Sequence, residues 1–236
     1  MSEHLTALAS LVVGVAVSLG AATGAGAQQV TAIDILLDPD ATMVGKAEAV
    51  NADLLKDYPK GFSLDASHRP HVTVLQRYVR TADLGKVYAA AGKVLAAEDF
   101  TTWKLTAVKY YYLPLGPIGL SGIVIKPIPE LLRLQQALID AVAPYTVKTG
   151  TVAAFVTTRE EPDVNQPTMD YIAAFVSDHS GAKYNPHVTT GIGTKAYLDA
   201  LLAGPFDTFT FSPVSASVYQ LANFGTASKL LKALTP

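Results

Sequence analysis

The tetrapeptide Pro-His-Val-Thr occurs twice in this chain, at Pro70–Thr73 within PHVTVLQRYV and at Pro186–Thr189 within PHVTTGI. Each copy opens a stretch rich in β-branched and aliphatic residues, which is typical of a β-strand. With only five histidines among 236 residues, an identical tetrapeptide at the start of two predicted strands indicates an internal repeat.

Periodicity outside the two tetrapeptides predicts the same order of elements in each half: strand, helix, strand, helix, strand, strand. In the first half these elements lie near 30–37, 43–54, 70–79, 84–95, 102–113 and 119–126. In the second half they lie near 151–158, 169–176, 186–192, 196–203, 206–211 and 214–221, and a helix near 129–142 joins the halves.

This repeat predicts an α+β fold with two lobes related by a pseudo-two-fold axis and separated by a cleft. Residues 28–236 would form a single bilobal domain, with repeat halves at about 30–126 and 151–222. Because helices connect most strands, some pairs are expected to be parallel, and the last two strands of each half are expected to form an antiparallel hairpin.

The first 27 residues have the pattern of a secretory signal peptide. The uncharged apolar run Leu5–Leu19 is followed by small residues that end in Ala25-Gly26-Ala27, and the run is shorter than the roughly 20 residues of a membrane span. Cleavage after Ala27 predicts a secreted or periplasmic protein with no membrane contact. An uncleaved N-terminal anchor is the alternative, because residues 1–4 contain Glu3 and no lysine or arginine.

The overall composition excludes several classes of function. The 18 Lys plus Arg nearly balance the 20 Asp plus Glu, whereas binding to long nucleic acid requires a basic surface. The absence of cysteine excludes disulfides, thiolate nucleophiles and cysteine-ligated metals. A short oligonucleotide end or a small nucleotide remains a possible partner, and the oligomeric state is left open.

The two His-x-Thr pairs provide the groups that phosphodiester hydrolysis requires. Residues i and i+2 of a strand share a face, so His71 lies beside Thr73 and His187 beside Thr189. One neutral imidazole can accept a proton from water while the other, as imidazolium, protonates the leaving alkoxide. The two threonine hydroxyls can donate hydrogen bonds to the phosphate oxygens.

The paired motifs PHVTVL and PHVTTG resemble those of the 2H phosphoesterase superfamily, which includes RNA 2′,5′-ligases and cyclic phosphodiesterases. The resemblance implies a bilobal fold, no metal or other cofactor, and cyclic or 2′,5′-linked phosphodiester substrates. It also implies acid–base catalysis by His71 and His187 and phosphate binding by Thr73 and Thr189. Hydrolysis is the expected reaction, and ligation in reverse is possible. Which histidine is the acid is left open.

Two other functions are weighed against this one. A non-catalytic binding module for a phosphorylated ligand would keep the cleft, although it would not need both intact motifs. A metal-dependent hydrolase is disfavoured because each His-x-Thr offers one good ligand and no nearby carboxylate completes a site.

Other polar and aromatic residues have open roles. Arg77 shares the strand parity of His71 and could reach phosphate if the strand stays regular, but a rim position is favoured. His68 and Arg69 are expected in a solvated loop, Tyr110-Tyr111-Tyr112 could include a stacking surface, and Asp38-Pro39-Asp40 reads as a turn and helix cap.

Overall fold

Two antiparallel sheets and five α-helices form the part of the chain that the computed structural model describes, residues 29–159 and 161–234. The predicted signal peptide lies outside these residues. The helices are α1 (Ala41–Asp57), α2 (Leu84–Leu95), α3 (Pro129–Val142), α4 (Gln166–Asp178) and α5 (Lys195–Ala203). The strands are β1 (Val30–Pro39), β2 (Val72–Arg80), β3 (Leu105–Leu115), β4 (Ile118–Lys126), β5 (Thr146–Val147), β6 (His187–Thr194), β7 (Phe209–Phe211), β8 (Pro213–Leu221) and β9 (Ala227–Ala233).

Each sheet contains one of the motif strands. The first sheet has the order β5-β2-β1-β8-β9, and the second has the order β6-β4-β3-β7. The predicted α+β class and its two lobes, each with an antiparallel sheet, are confirmed. The helical crossovers nevertheless produce no parallel pair among the described ladders, because every strand pair is antiparallel.

The repeat is visible in the order of the strands. The triplet β2-β1-β8 of the first sheet corresponds to β6-β4-β3 of the second, with a motif strand first in each. In the chain the first unit runs β1-α1-β2-α2-β3. The second runs from β4 to β8 with β6 as its middle strand, and it also contains β5, β7 and one more helix. The last strand of each unit joins the sheet of the other lobe, so the two lobes are interlocked.

This exchange of strands corrects two predictions about the second half. Residues 151–158 form no strand: Val152–Ala154 is a 3₁₀ turn, and Phe155 packs edge-on against Tyr78. Both edges of β1 are already occupied by β2 and β8, so this segment has no central place in the first sheet. The predicted last hairpin is also wrong, because β7 and β8 belong to different sheets.

Both motif strands carry a β-bulge at the same place. In the first sheet Leu36 pairs with Thr73 and Ile35 with Leu75, so Val74 is the extra residue. In the second sheet the extra residue is Thr190. A bulge shifts the alternation of side chains by one residue. After Val74 it is therefore Gln76, and not Arg77, that lines the cleft.

Burial of the helix faces holds this scaffold together. The main core contains one face of each of α1, α2 and α3 together with strands of both sheets, as their 3.6-residue periodicity predicts. Asp40 caps α1 by accepting hydrogen bonds from the N–H groups of Thr42 and Met43, as expected for its position. Within residues 29–159 and 161–234, no helix has both the length and the apolar character needed to cross a bilayer.

Candidate active site

The two motif strands bring His71, Thr73, His187 and Thr189 to a single cleft between the lobes. The cleft holds about 670 Å³ of empty space, a figure that includes space open to solvent. The structure thus places together the two imidazoles and two hydroxyls that the sequence singles out.

His71 is buried between two hydrogen-bond acceptors. Its Nδ1 lies 2.6 Å from the carbonyl oxygen of Arg69, and its Nε2 lies 3.3 Å from Oδ2 of Asp34. Burial alone would lower the pKa of His71, but the hydrogen bond and charge of Asp34 outweigh it, and the pKa lies above the ordinary value. The structure therefore surrounds His71 with groups that favour its protonated form.

Asp34 is the centre of a buried polar cluster on β1. Its side chain is fully buried, and its Oδ2 also accepts hydrogen bonds from the Thr73 hydroxyl at 2.6 Å and from Nε2 of Gln76 at 2.9 Å. A buried carboxylate is stable only when it is paired. The imidazolium of His71 is the partner that the geometry provides.

His187 has different surroundings. Its Nδ1 lies 2.8 Å from the carbonyl oxygen of Asn185, and the ring of Tyr111 packs edge-on against it with centroids 4.8 Å apart. Gly122 leaves room for this contact, since a Cβ there would lie 2.7 Å from Cε1 of Tyr111. Although part of the residue is accessible to solvent, burial of the ring lowers the pKa of His187 to about 4, so this imidazole is neutral near pH 7.

The rest of the cleft is lined by apolar and neutral side chains. Leucines of the β3–β4 hairpin, Pro167 and Phe224 form one part, and Tyr171, Phe175, Tyr184 and His179 form another. Within the described residues, no lysine, arginine, aspartate or glutamate is among the side chains that line it. The positive charge available to a ligand inside the cleft therefore comes from histidine.

Phe224 reaches the cleft from a strained turn. Its φ of 58° and ψ of 15° lie in the left-handed region, and among the described residues no other non-glycine has a positive φ. Such a conformation costs about 1–3 kcal/mol. Hydrogen bonds from its N–H to Oγ1 of Thr168 at 3.0 Å and to Oδ1 of Asn223 at 3.1 Å hold the turn in place.

The structure also places the residues whose roles the sequence leaves open. Nη2 of Arg77 donates to Oγ1 of Thr146 on β5, away from the cleft. The ring of His68 stacks on Phe62, with centroids 4.7 Å apart. Of the three consecutive tyrosines, Tyr111 lines the cleft, while Tyr110 packs against Phe206 and Tyr112 donates to Asp199.

Asp34 and Gln76, which adjoin the motif residues, are among the polar residues of this site that the two motifs do not reveal. One signal for Asp34 was present, because it is the one charged residue within the otherwise apolar run Ala32–Leu37 of β1 and buried charges are rare without a partner. No local pattern pointed to Gln76, since the orientation of its side chain depends on the bulge at Val74.

No group of three or more His, Asp or Glu side chains that could hold a metal ion occurs within residues 29–159 and 161–234. The sequence-based expectation that the protein needs no metal stays a prediction.

Comparison with known proteins adds a general similarity in structure. No family model and no curated protein matches the chain. A solved structure of E. coli LigT complexed with ATP is 14% identical, with a TM-score of 0.41 over 88% of this chain and 100% of that one. A structure of Kluyveromyces marxianus Usb1 with uridine monophosphate is 10% identical, with a TM-score of 0.43 over 86% of this chain and 98% of that one. Because the identities and TM-scores are low, we argue the function from the residues of the cleft.

Proposed function

We propose that this protein is a phosphodiesterase of the 2H type that hydrolyses cyclic or 2′,5′-linked phosphodiesters by acid–base catalysis with His71 and His187. The observation that supports this most strongly is the meeting of two His-x-Thr strands in one cleft. The proposed substrate is a small nucleotide or an oligonucleotide end, since no lysine or arginine is among the described residues that line the cleft and could bind a longer phosphate backbone.

The reaction needs two proton transfers. One imidazole removes a proton from water as the water oxygen attacks phosphorus, and the other donates a proton to the leaving oxygen as its bond to phosphorus breaks. The products are a phosphomonoester and an alcohol, and after product release the two histidines exchange their protons with solvent. The Thr189 hydroxyl, which lines the cleft, is proposed to donate to a non-bridging phosphate oxygen. Thr73 is proposed to bind phosphate as well, once its hydroxyl turns from Asp34.

A binding module without catalysis is the competing function. A module that only holds a phosphorylated ligand needs donors but has no use for a neutral and a protonated imidazole in one cleft. The opposite surroundings of His71 and His187 therefore favour the enzyme.

The experiment that tests this function is an assay of purified protein on a panel of nucleoside 2′,3′-cyclic phosphates and 2′,5′-linked dinucleotides, with and without EDTA. His71→Ala and His187→Ala are each expected to lose about 10²–10⁴-fold in kcat. The double variant should lose far less than the product of the two, because both residues act in one step.

Two controls accompany this assay. His68→Ala changes a histidine that stacks on Phe62 outside the cleft lining, and circular dichroism checks the fold of each variant. Activity is expected to survive EDTA. Near-wild-type turnover in both folded His→Ala variants would disprove the two-histidine mechanism. Loss of turnover on chelation, restored by zinc or manganese, would show a metal enzyme instead.

A further inference from the structure

The pseudo-two-fold repeat is broken at two neighbouring pairs of equivalent positions beside the catalytic histidines. When the bulges at Val74 and Thr190 are aligned, Gln76 of β2 corresponds to Ile192 of β6. Their partners on the neighbouring strands also correspond: Asp34 pairs with Gln76, and Leu120 pairs with Ile192. A carboxylate and an amide in one lobe thus stand where the other lobe has two aliphatic side chains.

The contacts of His71 favour its protonated form. Its Nδ1 lies 2.6 Å from a carbonyl oxygen, and its Nε2 lies 3.3 Å from a carboxylate oxygen that already accepts two hydrogen bonds. A carbonyl and an ionised carboxylate are both acceptors, so the two contacts favour a proton on each ring nitrogen. The second carboxylate oxygen, Oδ1, is buried with no hydrogen-bond partner among the described residues, which makes a neighbouring positive charge more necessary.

His187 has an acceptor on one side only. Its Nδ1 donates to the Asn185 carbonyl, which leaves the lone pair on Nε2. No carboxylate contacts it within the described residues, and the position that corresponds to Asp34 is occupied by Leu120. This imidazole is therefore in the form that accepts a proton.

We infer that Asp34 assigns the two roles: it holds His71 as the general acid that protonates the leaving oxygen, and it leaves His187 as the general base that deprotonates water. Asp34 is a positioning residue, because it contacts His71 and does not itself line the cleft. This inference rests on the proposed function, but its first test does not require turnover.

The other titratable groups around the two histidines do not change this assignment. His71 is influenced by Asp34 and, more weakly, by Asp38. His187 is influenced by the charges of His71, Asp34 and His179, and it contacts Tyr111. The pKa of Tyr111 is raised by burial, as is that of Tyr184, and burial raises the pKa of Tyr171 to about 12, so all three phenols are neutral.

The first test is an NMR titration of the wild-type protein with ¹⁵N-labelled histidine. At pH 7, His71 is expected to show two protonated nitrogens and His187 one. In Asp34→Asn the pKa of His71 should fall by at least about one unit, since a neighbouring opposite charge typically contributes about 1–3 units. Asp38 is a buried carboxylate on the same strand that does not contact His71. Asp38→Asn should therefore shift the pKa of His71 much less. A neutral His71 in the wild-type protein would overturn the inference.

The second test uses the leaving group. A p-nitrophenyl diester releases a stable anion that needs no proton, whereas a 2′,3′-cyclic phosphate releases an alkoxide that does. His71→Ala and Asp34→Asn should therefore lose about 10-fold or more on the cyclic substrate and much less on the p-nitrophenyl ester of the same nucleotide. His187→Ala should be severely impaired on both.

The pH profile separates the two roles further. In Asp34→Asn, the alkaline limb of kcat/KM should move to lower pH by more than the acidic limb does, since the acidic limb belongs to His187, which Asp34 does not contact. If His187→Ala, and not His71→Ala, regained activity on the p-nitrophenyl ester relative to the cyclic substrate, the roles would be reversed and the assignment refuted. If no phosphodiester is turned over at all, the proposed function fails, and the NMR titration still decides the protonation states.

Discussion

The two motif threonines differ in the use of their single hydroxyl proton. Thr73 donates it to Asp34 at 2.6 Å, whereas the Thr189 hydroxyl has no hydrogen-bond partner among the described residues. Only Thr189 can therefore donate to a phosphate oxygen without first breaking a bond. The identical tetrapeptides gave no reason to expect this difference.

Replacing each threonine by valine is expected to separate these roles. Thr189→Val removes a charge-assisted hydrogen bond worth about 1.5–3 kcal/mol, which corresponds to roughly a 10- to 100-fold loss of kcat/KM at 1.36 kcal/mol per tenfold. Thr73→Val should lower kcat/KM less than Thr189→Val does. It should instead shift the alkaline limb of the pH profile, because the carboxylate of Asp34 loses a hydrogen-bond donor. Steady-state kinetics across pH measure both effects. Equal losses with unchanged pH profiles would contradict this difference.

At the scale of elements, the periodicity of apolar side chains predicted those helices and strands whose formation depends on residues close together in the chain. The two motif strands, the helices α1, α2 and α3 and the β3–β4 hairpin follow from side-chain periodicity and turn residues. The edge strands β5 and β9 and the failure of residues 151–158 to form a strand depend on which sheet edges are already occupied. That information is tertiary and has no local signature.

The bulge in β6 depends on a glycine. Gly191 has a φ of 133°, and a Cβ there would lie 2.6 Å from Nδ2 of Asn51. Asn51 is buried, and its amide donates to the carbonyl oxygens of Phe62 and Thr190. The side-chain amide thus ties α1 to the bulged strand just after the second motif.

Gly191→Ala is therefore expected to lower the free energy of unfolding by about 1–3 kcal/mol through backbone strain and displacement of Asn51. Gly45→Ala is the matched control, because Gly45 lies in α1 with nothing within 4 Å of a built Cβ. It should raise stability by about 0.5–1 kcal/mol through helix propensity. Urea denaturation measures both. An unchanged free energy of unfolding in Gly191→Ala would mean that the bulge tolerates a side chain.

At the scale of the whole molecule, the bilobal arrangement followed from the repeat, but the exchange of β3 and β8 between the lobes did not. The order of elements along the chain is the same whether each lobe keeps its last strand or the two lobes exchange their last strands. Only the pairing of strands distinguishes them. The charge asymmetry at Asp34 and Leu120 became visible in the same way, once equivalent positions could be aligned across the two sheets.

Export is proposed on the basis of the pattern in residues 1–27. If the Ala25-Gly26-Ala27 site is cleaved, the mature protein begins at or within a few residues of Gln28. Expression with the native N-terminus, followed by fractionation and N-terminal sequencing of the recovered protein, measures this. A protein that keeps Met1 and stays in the cytoplasm would contradict export.

The shortage of fixed positive charge in the cleft has a consequence for how substrates bind. Among the described residues that line it there is no lysine or arginine, so the lining itself adds little to the attraction of a phosphate beyond His71, and few counterions are displaced when a ligand binds. The rate of productive encounter should then be nearly independent of ionic strength. An oligonucleotide and a mononucleotide that end in the same cyclic phosphate should react with similar kcat/KM, so the protein would recognise the terminus of a chain and be indifferent to its length.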